Sequence, residues 1–178
     1  MAIEFFDKIF HGMDNGFVAI ATGKTRNLDI QYFSWPDARE ELQRHITENK
    51  HQDVYVVPSL LSSPNRNPGH SRAQRQAVWI DADAMDLAKL RIQPSLVVRT
   101  SPDKHHVYWI VGGDGRGLED LSRAIGKAHE EDGASHHVGN SYGFMRVPGT
   151  FNTRSEDFTE VITAGTSVSF DSLQEAYR

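Results

Sequence analysis

Between Val78 and Ala84 the chain reads Val-Trp-Ile-Asp-Ala-Asp-Ala, and this alternation constrains the fold more than any other stretch. Successive side chains on a β-strand point to opposite faces, so Val78, Ile80, Ala82 and Ala84 share a core face while Asp81 and Asp83 share the other. Two carboxylates side by side on a rigid strand repel each other unless a cation lies between them. Hard divalent ions favour such an oxygen-rich pair. Two ions about 4 Å apart can activate an attacking hydroxyl and stabilise a leaving pyrophosphate. The plainer reading is a strand end whose aspartates face water, and Asp-x-Asp by itself does not decide between the two.

The neighbouring segments supply the rest of a sheet. Leu96 to Arg99 and His106 to Val111 are further apolar β-type runs. Phe17 to Ala21, Ile30 to Ser34 and Val54 to Val57 read as earlier strands, and Phe158 to Thr163 as the last one. A helix is expected from Pro36, with Ala38, Leu42 and Ile46 as its apolar stripe. A second should span Leu118 to Ala128, burying Leu118, Leu121, Ile125 and Ala128. Asp171 is the expected cap of a short terminal helix with Leu173 and Ala176 inward. Mixed strands and helices without a linker predict one α+β domain over residues 1–178.

Composition narrows the setting. A chain of 178 residues can bury a real core, and 38% hydrophobic content is ordinary for a soluble domain. With no cysteine there is no disulfide, thiolate zinc site or cysteine nucleophile. No apolar run is long enough for a membrane span, and the start lacks a basic region followed by an apolar one. The cytoplasm is therefore the expected compartment. A net charge of −5 argues against a simple nucleic-acid coat, yet the distribution is uneven. No acid falls between Asp53 and Asp81, where Arg66, His70, Arg72 and Arg75 lie. A second acid-free stretch runs from Gly133 to Ser155, with His136, His137, Arg146 and Arg154. Either these are solvated loops or they are local basic surfaces suited to phosphates.

Two more motifs carry chemistry. In Thr100-Ser101-Pro102-Asp103-Lys104-His105-His106-Val107-Tyr108-Trp109, a turn at Ser101-Pro102 feeds a strand. Val107, Trp109 and Val111 should be buried, leaving Lys104, His106 and Tyr108 on the opposite face. An ammonium and an imidazole beside paired carboxylates suit a triphosphate, with Lys104 as a point charge and His106 as a donor to a phosphate oxygen. His105 should point to the core side or into the turn. Met145 to Arg154 reads Met-Arg-Val-Pro-Gly-Thr-Phe-Asn-Thr-Arg, a tight turn in which Arg146, Asn152 and Arg154 offer donors to phosphate or base. Thr22-Gly23-Lys24-Thr25 imitates the end of a phosphate-binding loop, but Val18 occupies the required first-glycine position, so a β-turn is expected.

Taken in order, Asp-x-Asp, Ser-x-x-x-x-His before Tyr-Trp, and Arg-Val-Pro-Gly-Thr-Phe-Asn-Thr-Arg resemble the archaeo-eukaryotic primase superfamily. The likeness is to the primase-polymerase domains of phage and plasmid replication proteins, and it is specific over residues 77–154. It implies a single two-part catalytic domain with an RNA-recognition-like sheet module, and template-directed nucleotide addition with Mg²⁺ or Mn²⁺. By that likeness Asp81 and Asp83 are metal ligands, and His106 contacts the nucleotide. Ser101 and Lys104 lie near the triphosphate, and Arg146 matches the arginine after the third metal motif. Single-stranded DNA template, nucleoside triphosphates and a replicative helicase are the implied partners. The acid-free segments nominate Arg66, Arg72, Arg75, Asn152 and Arg154 for nucleic-acid contact.

One position departs from the pattern. Where the family carries a third metal aspartate, this chain has Ser135, and Asn140 stands where many members have a second acid. Asp132 is the nearest carboxylate and could substitute only through a re-routed loop. His136 or His137 could offer an imidazole instead, favouring Mn²⁺. The alternative function is therefore a catalytically weakened primase-like module that binds single-stranded DNA or nucleotide. A metal-dependent nuclease using Asp81, Asp83 and a histidine ranks below both.

Overall fold

The computed structural model describes residues 2–135 and 137–178. Helix α1 (Ala2–Ile9) leads into a long hairpin of β1 (Gly16–Lys24) and β2 (Asn27–Trp35). Its turn follows Gly23, whose φ of 107° suits glycine, so the phosphate-loop mimic is indeed a β-turn. After α2 (Arg39–Asn49), the strands β3 (Val54–Val56) and β4 (Leu60–Leu61) run along the other edge of β1, interrupted at Pro58. Then come β5 (Ala73–Gln74), β6 (Ala77–Asp83), β7 (Leu96–Ser101) and β8 (Lys104–Ile110). The chain continues through α3 (Leu118–Ala128), β9 (Ala134–Ser135), β10 (Met145–Arg146) and the ribbon β11 (Phe151–Asn152) with β12 (Asp157–Phe158). It ends in β13 (Glu160–Ala164) and α4 (Phe170–Ala176).

Two antiparallel sheets result. One has the order β10-β3-β1-β4-β5 with β2 paired to β1, and the other the order β13-β7-β8-β6-β9. Alternation along β6 explains how they stack. Val78, Ile80 and Ala82 pack with Val107, Trp109, Leu121, Ile125 and Leu173, so α3 and α4 cover that face. Ala77 and Trp79 turn the other way, into a core shared with Tyr108, Phe5, Phe6, Val18, Val56 and Met145. The central strands β6, β7 and β8 are thus buried on both faces while the edge strand β13 is exposed, and the antiparallel order with two helices on one side matches the expected two-part α+β architecture.

Local boundaries differ from the sequence expectation where particular hydrogen bonds intervene. Helix α2 begins at Arg39, because Pro36 to Ala38 form a turn closed by the Arg39 N–H donating to Pro36 O. Ala128 is exposed at the end of α3, and the buried residue there is His129. The cap of α4 is Ser169, which accepts from the Ser172 N–H, so Asp171 lies in the first turn. The last strand is split at Thr159, whose backbone pairs back with Gly149 and Thr150. Among the described residues, no helix is long and apolar enough to cross a membrane.

Candidate active site

The two-faced burial of β6 decides where its charge sits. Beyond Trp79 the cover on the inner face ends, and the next two residues on that face are Asp81 and Asp83. Antiparallel pairing then brings specific partners alongside: Asp81 stands opposite His106 and Asp83 opposite Lys104. The β7–β8 turn at Pro102-Asp103 is anchored to the end of β6 by the Ala84 N–H donating to Asp103 O at 2.6 Å. On the far side the Asp83 N–H donates to Gly133 O at 2.9 Å. A Cβ at Gly133 would lie 2.0 Å from Asp83 O, so only glycine permits this approach.

These elements enclose an open cleft of about 580 Å³ lined by Asp81, Asp83, Ser101, Lys104, His106 and Arg146, with Asn152 and Arg154 at its other wall. Lys104 donates to Asp83 Oδ2 at 3.0 Å. Burial and the neighbouring Asp83 push the Asp81 carboxyl up to about 6, against the opposing pull of Lys104. Burial, with Arg146 nearby, takes His106 down to about 3, so its imidazole is neutral at physiological pH. Its Nδ1 is enclosed without a hydrogen-bond partner among the described residues. His106 can therefore donate or accept a hydrogen bond but supplies no counter-charge. His105, as expected, lies away from this face, opposite Ala82 and Arg99.

Arg146 is held from behind. Its Nη1 donates to Asp53 Oδ1 at 2.5 Å, and its guanidinium lies 5.0 Å from the centre of the Tyr55 ring. The Asp53 carboxyl is buried, which opposes ionisation, yet hydrogen bonds from Thr153 and Arg146 hold it below the usual carboxylate range. Asp53 also takes the Thr153 N–H at 3.1 Å, tying the Arg146–Arg154 loop to β3. Nothing local in the sequence marks Asp53, since its partners lie far along the chain.

No family model matches the chain, and no curated protein does. Solved structures do. The primase-polymerase (AEP) domain of cyanophage S-2L superposes with a TM-score of 0.69 at 15% identity, over 99% of this chain and 97% of that one. The catalytic domain of primase RepB′, in complex with initiator DNA, gives 0.65 at 18% identity over 98% and 93% of the two chains. A longer RepB′ structure gives 0.61 at 19% identity, with 99% of this chain and 62% of that one covered. The chain has the archaeo-eukaryotic primase-polymerase fold.

Within this primase-polymerase fold, the departure in the acid pattern acquires a location. Strand β9 pairs Ser135 directly with Asp81, on the side opposite His106. Side chains so paired lie roughly 5 Å apart at Cβ, so position 135 is where a third carboxylate would join the pair. The Asp132 carboxylate is engaged elsewhere, bonded to Lys89 Nζ and to His129 Nδ1. Asn140 is an exposed turn residue accepting from the Tyr142 N–H. His137 is exposed and its N–H donates to Ser135 Oγ at 3.3 Å, while His136 lies outside the described residues. Among the described residues no group of three or more acids and imidazoles is arranged to hold a metal.

The residues nominated for nucleic acid separate into three groups. Arg154 is exposed on the cleft wall. Asn152 also lines the cleft, but its side chain is buried and donates to Thr100 O at 2.6 Å, which braces β7. Arg66 and Arg72 lie outside the cleft, on the loop beside the first sheet. Arg75 must be corrected from a surface cation to an interior one. Only 3% exposed, it stacks 3.5 Å from the Trp79 ring centre and donates to Ala77 O, Gly139 O, Ser122 Oγ and Ser141 Oγ. Burial lowers its guanidinium to about 9.

Proposed function

We propose that the cleft is a nucleotidyl-transfer site that extends a strand along single-stranded DNA from nucleoside triphosphates, as a DNA primase or polymerase. The observation that carries this reading is the convergence, in one cleft, of Asp81, Asp83, Lys104 and His106 from one sheet with Arg146 from the other. The donor set fits Mg²⁺ or Mn²⁺, because such ions are commonly held by one or two carboxylates and complete their shell with phosphate and water. The crowding that raises Asp81 is what a bound cation relieves. When bound, the ion supplies charge neutralisation and activation of the attacking hydroxyl.

The chain's own residues then divide the work. Asp81 and Asp83 hold the ion, Lys104 and Arg146 balance triphosphate charge, and the neutral His106 hydrogen-bonds a phosphate oxygen. Ser101, at the β7–β8 turn, offers its hydroxyl beside them. The whole of residues 1–178 acts as the catalytic domain. Incorporation on a primed single-stranded template with Mn²⁺ or Mg²⁺ tests the assignment, and Asp81→Ala/Asp83→Ala should abolish it. Incorporation that survives in that variant removes this cleft from the chemistry.

A second reading is favoured by Ser135 and by the engagement of Asp132 with Lys89 and His129. With two carboxylates rather than three, the domain binds nucleotide or single-stranded DNA without turnover. Salt-sensitive binding with no incorporation under either metal selects it.

A further inference from the structure

Among the described residues, no helix packs on the outer face of the first sheet. Residues Ile30, Tyr32, Tyr142 and Phe144 pack only partly buried against Ala19, Val57 and Leu61. What lies on this face are two loops, and they belong to the two longest acid-free segments of the sequence. Arg66 from the first loop donates to Tyr142 O at 2.9 Å and lies 4.2 Å from the Phe144 ring centre. Tyr142 in turn donates its hydroxyl to Ser71 O at 2.8 Å. The Phe144 ring is 6.4 Å from that of Tyr55, and Tyr55 carries Arg146 at 5.0 Å. Arg146 lines the cleft. Two neighbouring rings, Phe144 and Tyr55, are therefore flanked by the guanidinium groups of Arg66 and Arg146, with Tyr32 and Tyr142 beside them.

We infer that this face is a stacking platform for single-stranded nucleic acid, along which the unpaired strand reaches the cleft. Partly exposed rings accept base faces regardless of sequence, and interleaved arginines meet the phosphates. The charge supports that occupant, since parts of the two longest acid-free segments of an overall acidic chain meet here. Hydrogen bonds from Arg66 and Tyr142 fix the loops in advance, which lowers the ordering cost of binding. The inference rests on the polymerase reading only for the direction of the strand, because the binding itself requires no metal.

The test uses the full chain, a short fluorescein-labelled oligothymidylate and its oligouridylate counterpart, in EDTA and without nucleotide. Phe144→Leu keeps an apolar side chain but loses the ring, and should weaken binding roughly five- to hundredfold. Phe144→Trp should retain binding, and its emission should be quenched on adding the oligonucleotide. The native tryptophans Trp35, Trp79 and Trp109 are at most 6% exposed, so that quench reports the platform. Arg66→Ala should make binding less sensitive to salt. Parallel curves for the two oligomers identify a strand-generic platform, and preference for one identifies the nucleic acid it serves. Unchanged affinity in Phe144→Leu, or an unquenched Phe144→Trp that still binds, overturns the inference. Binding retained in Asp81→Ala/Asp83→Ala keeps this result separate from the catalytic assignment.

Discussion

The two sheets share a core and differ in what their remaining faces meet. The β13-β7-β8-β6-β9 sheet is covered by α3 and α4 on one side and by α1 and the first sheet on the other. Where the inner cover ends, its polar side chains gather at Asp81, Asp83, Lys104 and His106, and at the exposed edge Arg99 pairs with Glu160. The first sheet buries one face and leaves the other to loops, so Tyr32, Phe144 and Arg66 remain reachable across its width. A doubly covered sheet concentrates charge at strand ends, where partial burial shifts it. A singly covered sheet spreads weaker contacts over a surface. Burial thus separates the cleft proposed to react from the open face proposed to hold a strand.

The largest effect should come from breaking the concentrated site. Asp81→Ala/Asp83→Ala should lower incorporation on a primed template by at least roughly a hundredfold, while oligonucleotide binding to the open face stays intact. Next is the strut between the regions. Arg75→Ala strips one of the partners from each of buried Ser122 and Ser141 and the stacking from Trp79, and should cost about 3 kcal/mol in urea unfolding. Arg72→Ala, on the exposed loop, should stay within about 0.5 kcal/mol. Equal losses in the two variants would erase the distinction between interior and surface arginines.

Smaller effects sharpen the electrostatic half of the comparison. The Asp81 carboxyl sits at about 6 in the fold against 3.8 when free, so the folded chain binds the extra proton between these values. Its charge therefore destabilises the fold as pH rises through that window. Asp81→Asn should stabilise the metal-free chain by on the order of 2 kcal/mol at pH 7, and the gain should vanish below pH 4. Denaturant melts at the two pH values decide it, and an equal gain at both would point to packing instead. Manganese should raise the melting temperature of the native chain and not that of Asp81→Asn. Ser135→Asp adds a carboxylate beside Asp81. It should tighten Mn²⁺ binding about tenfold by calorimetry and lower stability without metal. No change in affinity would mean that position 135 does not face the ion.

Much of the reactive region was legible from the residues because its logic is local. Alternation in Val78 to Asp83 and in Lys104 to Trp109 fixes which side chains share a face, and the turn at Pro102-Asp103 sets Lys104 against Asp83. The arginines were not separable in this way. Arg66, Arg72 and Arg75 look alike in an acid-free run, yet only Arg75 enters the core, drawn by Ser122 from α3 and by Gly139 and Ser141 near β9. Boundaries failed for a similar reason: Thr159 leaves its strand because of carbonyls at Val147 and Thr150.

The sequence by itself determined the mixed α+β character, the strand that carries Asp81 and Asp83, and the order of the motifs. These follow from periodicity and turn chemistry, which act over a few residues. Tertiary structure alone decided that Ser135 faces Asp81, that Asp53 steadies Arg146, and that two distant acid-free segments meet on one open sheet. Those facts depend on cross-strand register and on which face is covered, and neither is written in any single stretch of chain.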